Sequence, residues 1–100
     1  MRGPSPASTA RSNIDPGLNP VTEISYEIPD GADVMRVTLT IYDANGKRVE
    51  NLVDTRQGGG IYNVRWFATN DRGQGVPSGI YFYVLRAGSE TLTRKMVFLK

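Results

Sequence analysis

The chain has 100 residues, with 12 Lys and Arg against 10 Asp and Glu, a net charge of +2, and neither Cys nor His. That length allows one domain with a modest core and excludes a deep catalytic cleft on a scaffold of its own. Without Cys or His there is no disulfide, no thiolate metal site, and none of the commonest general bases, nucleophiles and metal ligands, while a charge this small implies no nucleic-acid partner.

Residues 1–18 open the chain with Pro, Ser, Gly, Ala and Asn, and four of the six prolines (Pro4, Pro6, Pro16, Pro20) fall in the first twenty residues. Such a composition buries too little to offset the entropy of ordering it. Residues 1–18 therefore read as a flexible linker or a vector-derived start, and residues 19–100 as the folded domain. No apolar run follows Met1, so no signal peptide is expected. No segment reaches the roughly 20 apolar residues that span a bilayer, so no transmembrane segment is expected either.

From Val21 the pattern becomes periodic. In "TEISYEI", Ile24, Tyr26 and Ile28 share one face and Glu23, Ser25 and Glu27 the other, which predicts a half-buried strand. "DVMRVTLTIYD" alternates again, with Met35, Val37, Leu39 and Ile41 on one side. Asn45-Gly46 then predicts a type I′ hairpin turn leading into "RVENLV". After the loop "DTRQGGG" comes "IYNVRWFA", with Tyr62, Val64 and Trp66 on one face, then a long polar loop, "TNDRGQGVPSG". The chain finishes with "IYFYVLR", a short turn, and "TLTRKMVFLK". About seven short strands, a turn signal every ten residues or so, and no helical stretch predict an all-β, immunoglobulin-like antiparallel β-sandwich.

Residues 80–85 are apolar or aromatic throughout. Either Ile80, Phe82 and Val84 face the core with Tyr81, Tyr83 and Leu85 outside, or the reverse; the pattern does not choose. The last strand has the same ambiguity, between Val97 with Leu99 and Met96 with Phe98.

The ordered set Asn19-Pro20, Tyr26 with Pro29, Tyr42-Asp43 with Gly46, Gly60 with Tyr62 and Trp66, Ser78-Gly79-Ile80-Tyr81, and Lys95 to Lys100 resembles the FlgD-like immunoglobulin-like domains and the related C-terminal sorting domains of type IX secretion. The resemblance spans about residues 19–100. It departs at Phe67-Ala68, where the family usually has Asp-Gly after the Trp, and at a shortened opening segment. It implies a non-catalytic module of a longer bacterial protein, reaching the cell surface or medium through the periplasm. Its implied partners are outer-membrane secretion machinery, a sortase-like peptidase, and cargo domains N-terminal to it in the same chain. The matching motif positions are Ser78, Gly79, Ile80 and Tyr81, with Lys95, Met96, Val97, Phe98, Leu99 and Lys100.

Other constellations carry less. The last strand, if it lies on a sheet edge, is a template for strand addition. Tyr62, Trp66 and Tyr83 could stack on sugars, which supports an alternative carbohydrate-binding or adhesion module, although an alternating-strand Trp is usually core; a rigid spacer is a third reading. Asp43, Asn45, Asn70 and Asp71 are oxygen ligands, but turn chemistry explains them and no metal is expected. The glycine loops lack the GxGxxG spacing and a following helix, so no phosphate-binding cofactor is expected. Glu23 and Glu27 share one strand face with no cleft between them. Arg65, Arg86, Arg94 and Lys95 could form a mildly basic patch. The expectation is a sorting module, not an enzyme.

Overall fold

A computed structural model describes residues 7–14 and 20–99. Two motif positions named above, Asn19 and Lys100, lie outside the described residues.

Seven strands form in order: β1 (Ala7–Ile14), β2 (Pro20–Ile28), β3 (Met35–Asp43), β4 (Arg48–Gln57), β5 (Gly60–Trp66), β6 (Gly79–Ala87) and β7 (Glu90–Phe98). They make a three-stranded sheet, β1-β2-β5, and a four-stranded sheet, β4-β3-β6-β7, with every neighbouring pair antiparallel. The chain crosses between sheets after β2, β4 and β5 and turns back within a sheet elsewhere. This is an immunoglobulin-like sandwich in which β4 pairs with β3 rather than with β5, its place in the constant-domain arrangement.

β1 corrects the expectation for residues 1–18. The stretch read as a linker supplies an edge strand, with eight residues in register from Ala7 opposite Glu27 to Ile14 opposite Pro20. Composition failed here because none of the described side chains of β1, Ala7 to Ala10, belongs to the buried apolar cluster. Its pairing is by backbone, to which every residue type except Pro brings both a donor and an acceptor.

The core follows the two-residue period. Ile24, Tyr26 and Ile28 of β2 and Val37, Leu39 and Ile41 of β3 are buried. Both ambiguities are settled: Tyr81, Tyr83 and Leu85 face inward, with Met96 and Phe98, while Ile80, Phe82, Val84 and Val97 take the outer face. The tyrosines can go inside because each hydroxyl finds a partner. Tyr81 donates to the Pro77 carbonyl at 2.6 Å, Tyr26 donates to Gln57 Oε1 at 2.7 Å, and Tyr83 shares a 2.6 Å hydrogen bond with the Ser8 hydroxyl.

The Asn45-Gly46 hairpin forms, but not as a type I′ turn. Gly46 has φ +82°, whereas Asn45 is not among the positive-φ residues. The Gly46 N–H bonds the Asp43 carbonyl, and the Asp43 N–H bonds the Lys47 carbonyl, enclosing three loop residues. The Asp43 carboxylate decides the geometry by accepting the N–H groups of Asn45 and Lys47, both at 2.9 Å. That makes a type I turn closed by a left-handed glycine. The same device recurs at Asn70, whose Oδ1 accepts the N–H groups of Arg72 and Gln74, with Gly73 at φ +78°.

The departure from the family pattern at Phe67-Ala68 also has a structural reading. Ala68 has φ +57° and is 3% exposed, the one positive-φ residue other than glycine among those described. An L residue there costs about 1–2 kcal/mol that glycine avoids. The Ala methyl offsets part of this by burial, about 0.8 kcal/mol. Ala68→Gly should therefore leave stability within about 1 kcal/mol of the parent, whereas Ala68→Val, β-branched in a left-handed conformation, should cost about 2 kcal/mol or more. Urea melts of the two variants check this; a strongly destabilised Gly variant would show that the backbone is unstrained.

Candidate functional site

Gly79 to Tyr81 and Met96 to Phe98 lie 15 or more positions apart in the chain, yet the register sets them side by side. Gly79 is opposite Phe98, Ile80 opposite Val97, Tyr81 opposite Met96, and Phe82 opposite Lys95. The two halves of the candidate motif are thus one patch on the β6-β7 hairpin, and strand alternation gives the patch two sides.

The inner side is structural. Trp66 of β5 meets Tyr81 edge-on, with centroids 5.1 Å apart and planes at 63°, and meets Phe98 at 5.8 Å and 60°. Tyr81 and Phe98 complete the triad at 6.4 Å. Contacts of this kind add about 0.5–1.5 kcal/mol each beyond burial. The Tyr81 hydroxyl closes the corner on Pro77, four residues upstream, so the strand enters the sheet at a set angle. Burial raises the Tyr81 pKa, and nearby Asp43 adds to the shift, so the hydroxyl stays protonated as the donor this bond needs.

The outer side is open. Ile80 is 45% exposed, Val97 51% and Leu99 71%, with Phe82, Val84 and Tyr42 half-buried beside them and Lys95 exposed at the margin. Grouped apolar exposure of this kind is a mark of interaction surfaces, unlike single exposed side chains. β7 also pairs only with β6 in its sheet, so it is an edge strand, as expected.

The sugar-stacking trio does not exist as a surface. Trp66 and Tyr83 are both 0% exposed, and Tyr62 lies half-buried against Tyr26, with rings 5.2 Å apart and 19° from parallel. Tyr62 instead donates its hydroxyl to the Gly58 carbonyl at 2.7 Å. The supposed basic patch is divided too. Arg65 lies on the outer face of the three-stranded sheet, where its Nε stands 3.7 Å from Glu23, while Lys95 and Arg86 belong to the outer face of the other sheet. Arg94 alternates to the opposite side from Lys95. Glu23 and Glu27 face outward, as expected.

Three of the four candidate oxygen ligands, Asp43, Asn70 and Asp71, have side-chain oxygens occupied by turn and loop bonds. Asp71 accepts the Asn51 N–H at 3.0 Å and Arg48 Nε at 3.1 Å, and its own N–H bonds the Val49 carbonyl. These bonds dock the 69–75 loop along the edge of β4, where two bulges, at Val49 and Leu52, break the ladder with β3. From the other side, Trp66 Nε1 donates to the Thr69 carbonyl at 2.9 Å, and the Thr69 hydroxyl donates to Glu50 Oε2. Among the described residues no group of three or more acidic side chains is placed to hold a metal. The docking loop was invisible in the sequence, since Asp71 reads there only as a turn residue.

A cleft of about 450 Å³ lies at the far pole, between the β2–β3 loop and the β6–β7 turn, floored by Ile28, Met35 and Ala87 and edged by Asp30, Asp33 and Glu90. None of the motif residues lines it.

Two outcomes are expected. Trp66 fluorescence should be blue-shifted and unresponsive to iodide or soluble glycans, and a saturable quench by a glycan would restore the stacking reading. Asp71 is held below the usual aspartate range, first by the Asn51 N–H and then by Arg48. A folded-state value below the unfolded one stabilises the fold above the unfolded aspartate range, and that contribution disappears as pH falls through the folded value. Glu50 has the opposite sign, because burial raises its pKa and acid relieves it. Asp71→Asn should lower the melting temperature at pH 7 and flatten its fall below about pH 4. Parallel calorimetric curves for parent and variant would contradict the docking role.

The family model described as the FlgD Ig-like domain matches residues 12–90 of this chain. No curated protein matches it.

Proposed function

Because the chain belongs to the FlgD Ig-like domain family, we propose that it is a non-catalytic C-terminal sorting module, which directs cargo domains preceding it through the type IX secretion machinery of the outer membrane. The cargo reaches the cell surface or the medium by way of the periplasm. A sortase-like peptidase acts on the module after passage.

One observation carries this reading: the cross-strand pair Ile80 and Val97, exposed with Leu99 on the outer face of the four-stranded sheet, while their neighbours Tyr81, Met96 and Phe98 are buried. Packing of the core alone does not call for large apolar residues on the outer positions. A surface for a protein partner does. The carbohydrate-binding reading has lost two of its three aromatics to the core and draws no support.

The test is delivery of a reporter fused to the full chain in a cell with an active type IX system. The parent fusion should reach the surface. Ile80→Ser with Val97→Ser should retain the reporter in the periplasm while changing domain stability by no more than about 1 kcal/mol. Retention of the parent fusion, where an established sorting domain exports the same reporter, would end the proposal.

A further inference from the structure

The cleft at the far pole has a floor and walls of different chemistry. Its volume, about 450 Å³, falls within the roughly 300–1,000 Å³ of ligand sites. The floor is apolar: Ile28 and Ala87 are buried members of the core, and Met35 packs against them. A thioether side chain adapts to its occupant. The β2–β3 loop forms one wall and carries Asp30 and Asp33, both exposed, while Glu90 stands on the wall made by the β6–β7 turn and the start of β7. Among the described residues no Lys or Arg lines the cleft, although the whole chain has a net charge of +2. The ion pairs among those residues join Arg36 to Asp54, Arg48 to Asp71 and Arg65 to Glu23, which leaves Asp30 and Asp33 without a cation. Backbone bonds hold both walls. The Ala32 N–H closes the loop on the Pro29 carbonyl at 3.2 Å, with Gly31 at φ +82°, and the Gly88 N–H ties the turn to the Arg36 carbonyl at 3.1 Å. Gly88 packs so closely on Met35 that a β-carbon there would lie 3.3 Å from the sulfur. The cleft is therefore preformed, and an occupant does not have to open it.

We propose that this cleft binds an extended segment of a protein partner that carries an apolar residue with Arg or Lys two positions away. Alternate side chains of an extended chain point the same way, about 7 Å apart. The apolar one covers Ile28, Met35 and Ala87, and the cation meets the carboxylates of Asp30 and Asp33 at the mouth. An apolar group inside and a cation outside are met together by a chain that presents both on one side. The inference is independent of the sorting proposal, because none of the motif residues lines this cleft.

The probe is the end-blocked peptide Ser-Arg-Ser-Leu-Ser-Arg-Ser, titrated at low salt into the isotope-labelled full chain and followed by heteronuclear NMR. Saturable shifts should appear at the amides of Gly31 and Gly88, one on each wall, and not at Gly46, in the hairpin at the other end of β3. Exchanging the peptide's Leu for Ser should weaken binding about tenfold, and exchanging both Arg for Gln at least about threefold. Asp30→Asn with Asp33→Asn should weaken it at least about threefold from the protein side, with near-ultraviolet circular dichroism showing that the Trp66 core is intact. Glu23→Gln, on the outer face of the three-stranded sheet, should leave the affinity unchanged. Absence of saturable shifts at Gly31 and Gly88, or equal affinity of the parent and the Asp30/Asp33 double variant, would overturn the proposal. So would tighter peptide binding by Arg2→Gln, which would assign the cleft to the N-terminal residues of this chain. Shifts at the same two glycines on dilution of the chain alone would overturn it in favour of a second copy.

Discussion

Three aromatic rings at one end of the sandwich hold the two sheets in place. Trp66 comes from the three-stranded sheet, and Tyr81 and Phe98 come from the four-stranded one. The edge-to-face geometry sets the lateral position of the sheets as well as their separation, because a ring quadrupole favours edge on face over face on face. The polar atoms of the triad then organise what surrounds it. The Trp66 indole N–H holds the carbonyl of Thr69, and the Tyr81 hydroxyl holds that of Pro77. The long loop between β5 and β6 is thus pinned at both ends by the rings it connects.

That arrangement separates two tasks along the same few residues. In Gly79–Tyr81 and Met96–Phe98, inward side chains complete the core and outward ones form the apolar strip. Substitution of Tyr81 or Phe98 therefore disturbs the core, whereas substitution of Ile80 or Val97 changes only the outer surface. The edges of the sheets are treated unequally. β4 is bulged and covered by the loop docked through Asp71, β1 covers β2 through an eight-residue ladder, and the edge of β7 carries Arg94 and Lys95, a common guard against unwanted strand pairing.

Much of the fold was legible in the residues. Alternation located β2, β3 and β5 with their inward faces; the glycine turn placed the start of β4, though its type was misread and residues Asp54 to Gln57, read as loop, continue that strand; β6 and β7 were found as apolar runs between turn signals. A type I′ turn was expected from Asn-Gly alone; the Asp43 carboxylate, two residues earlier, redirected it. β1 was missed because hydrophobic periodicity reports burial, and its first four residues, Ala7 to Ala10, are small or polar and pair through the backbone ladder. The sugar-stacking trio was misread in the other direction: aromatic residues look alike in sequence whether they face solvent or one another.

The order of residues by itself determined an all-β domain, without the chemistry of Cys or His, patterned as short strands of period two. Only the tertiary structure decided which side of β6 and β7 is buried. Six consecutive apolar residues satisfy either choice locally, and the balance turns on distant groups: Trp66 to receive Tyr81 and Phe98, and Ser8 and Pro77 to pair the hydroxyls of Tyr83 and Tyr81. A buried hydroxyl needs its partner in space, and no local pattern records who that partner is.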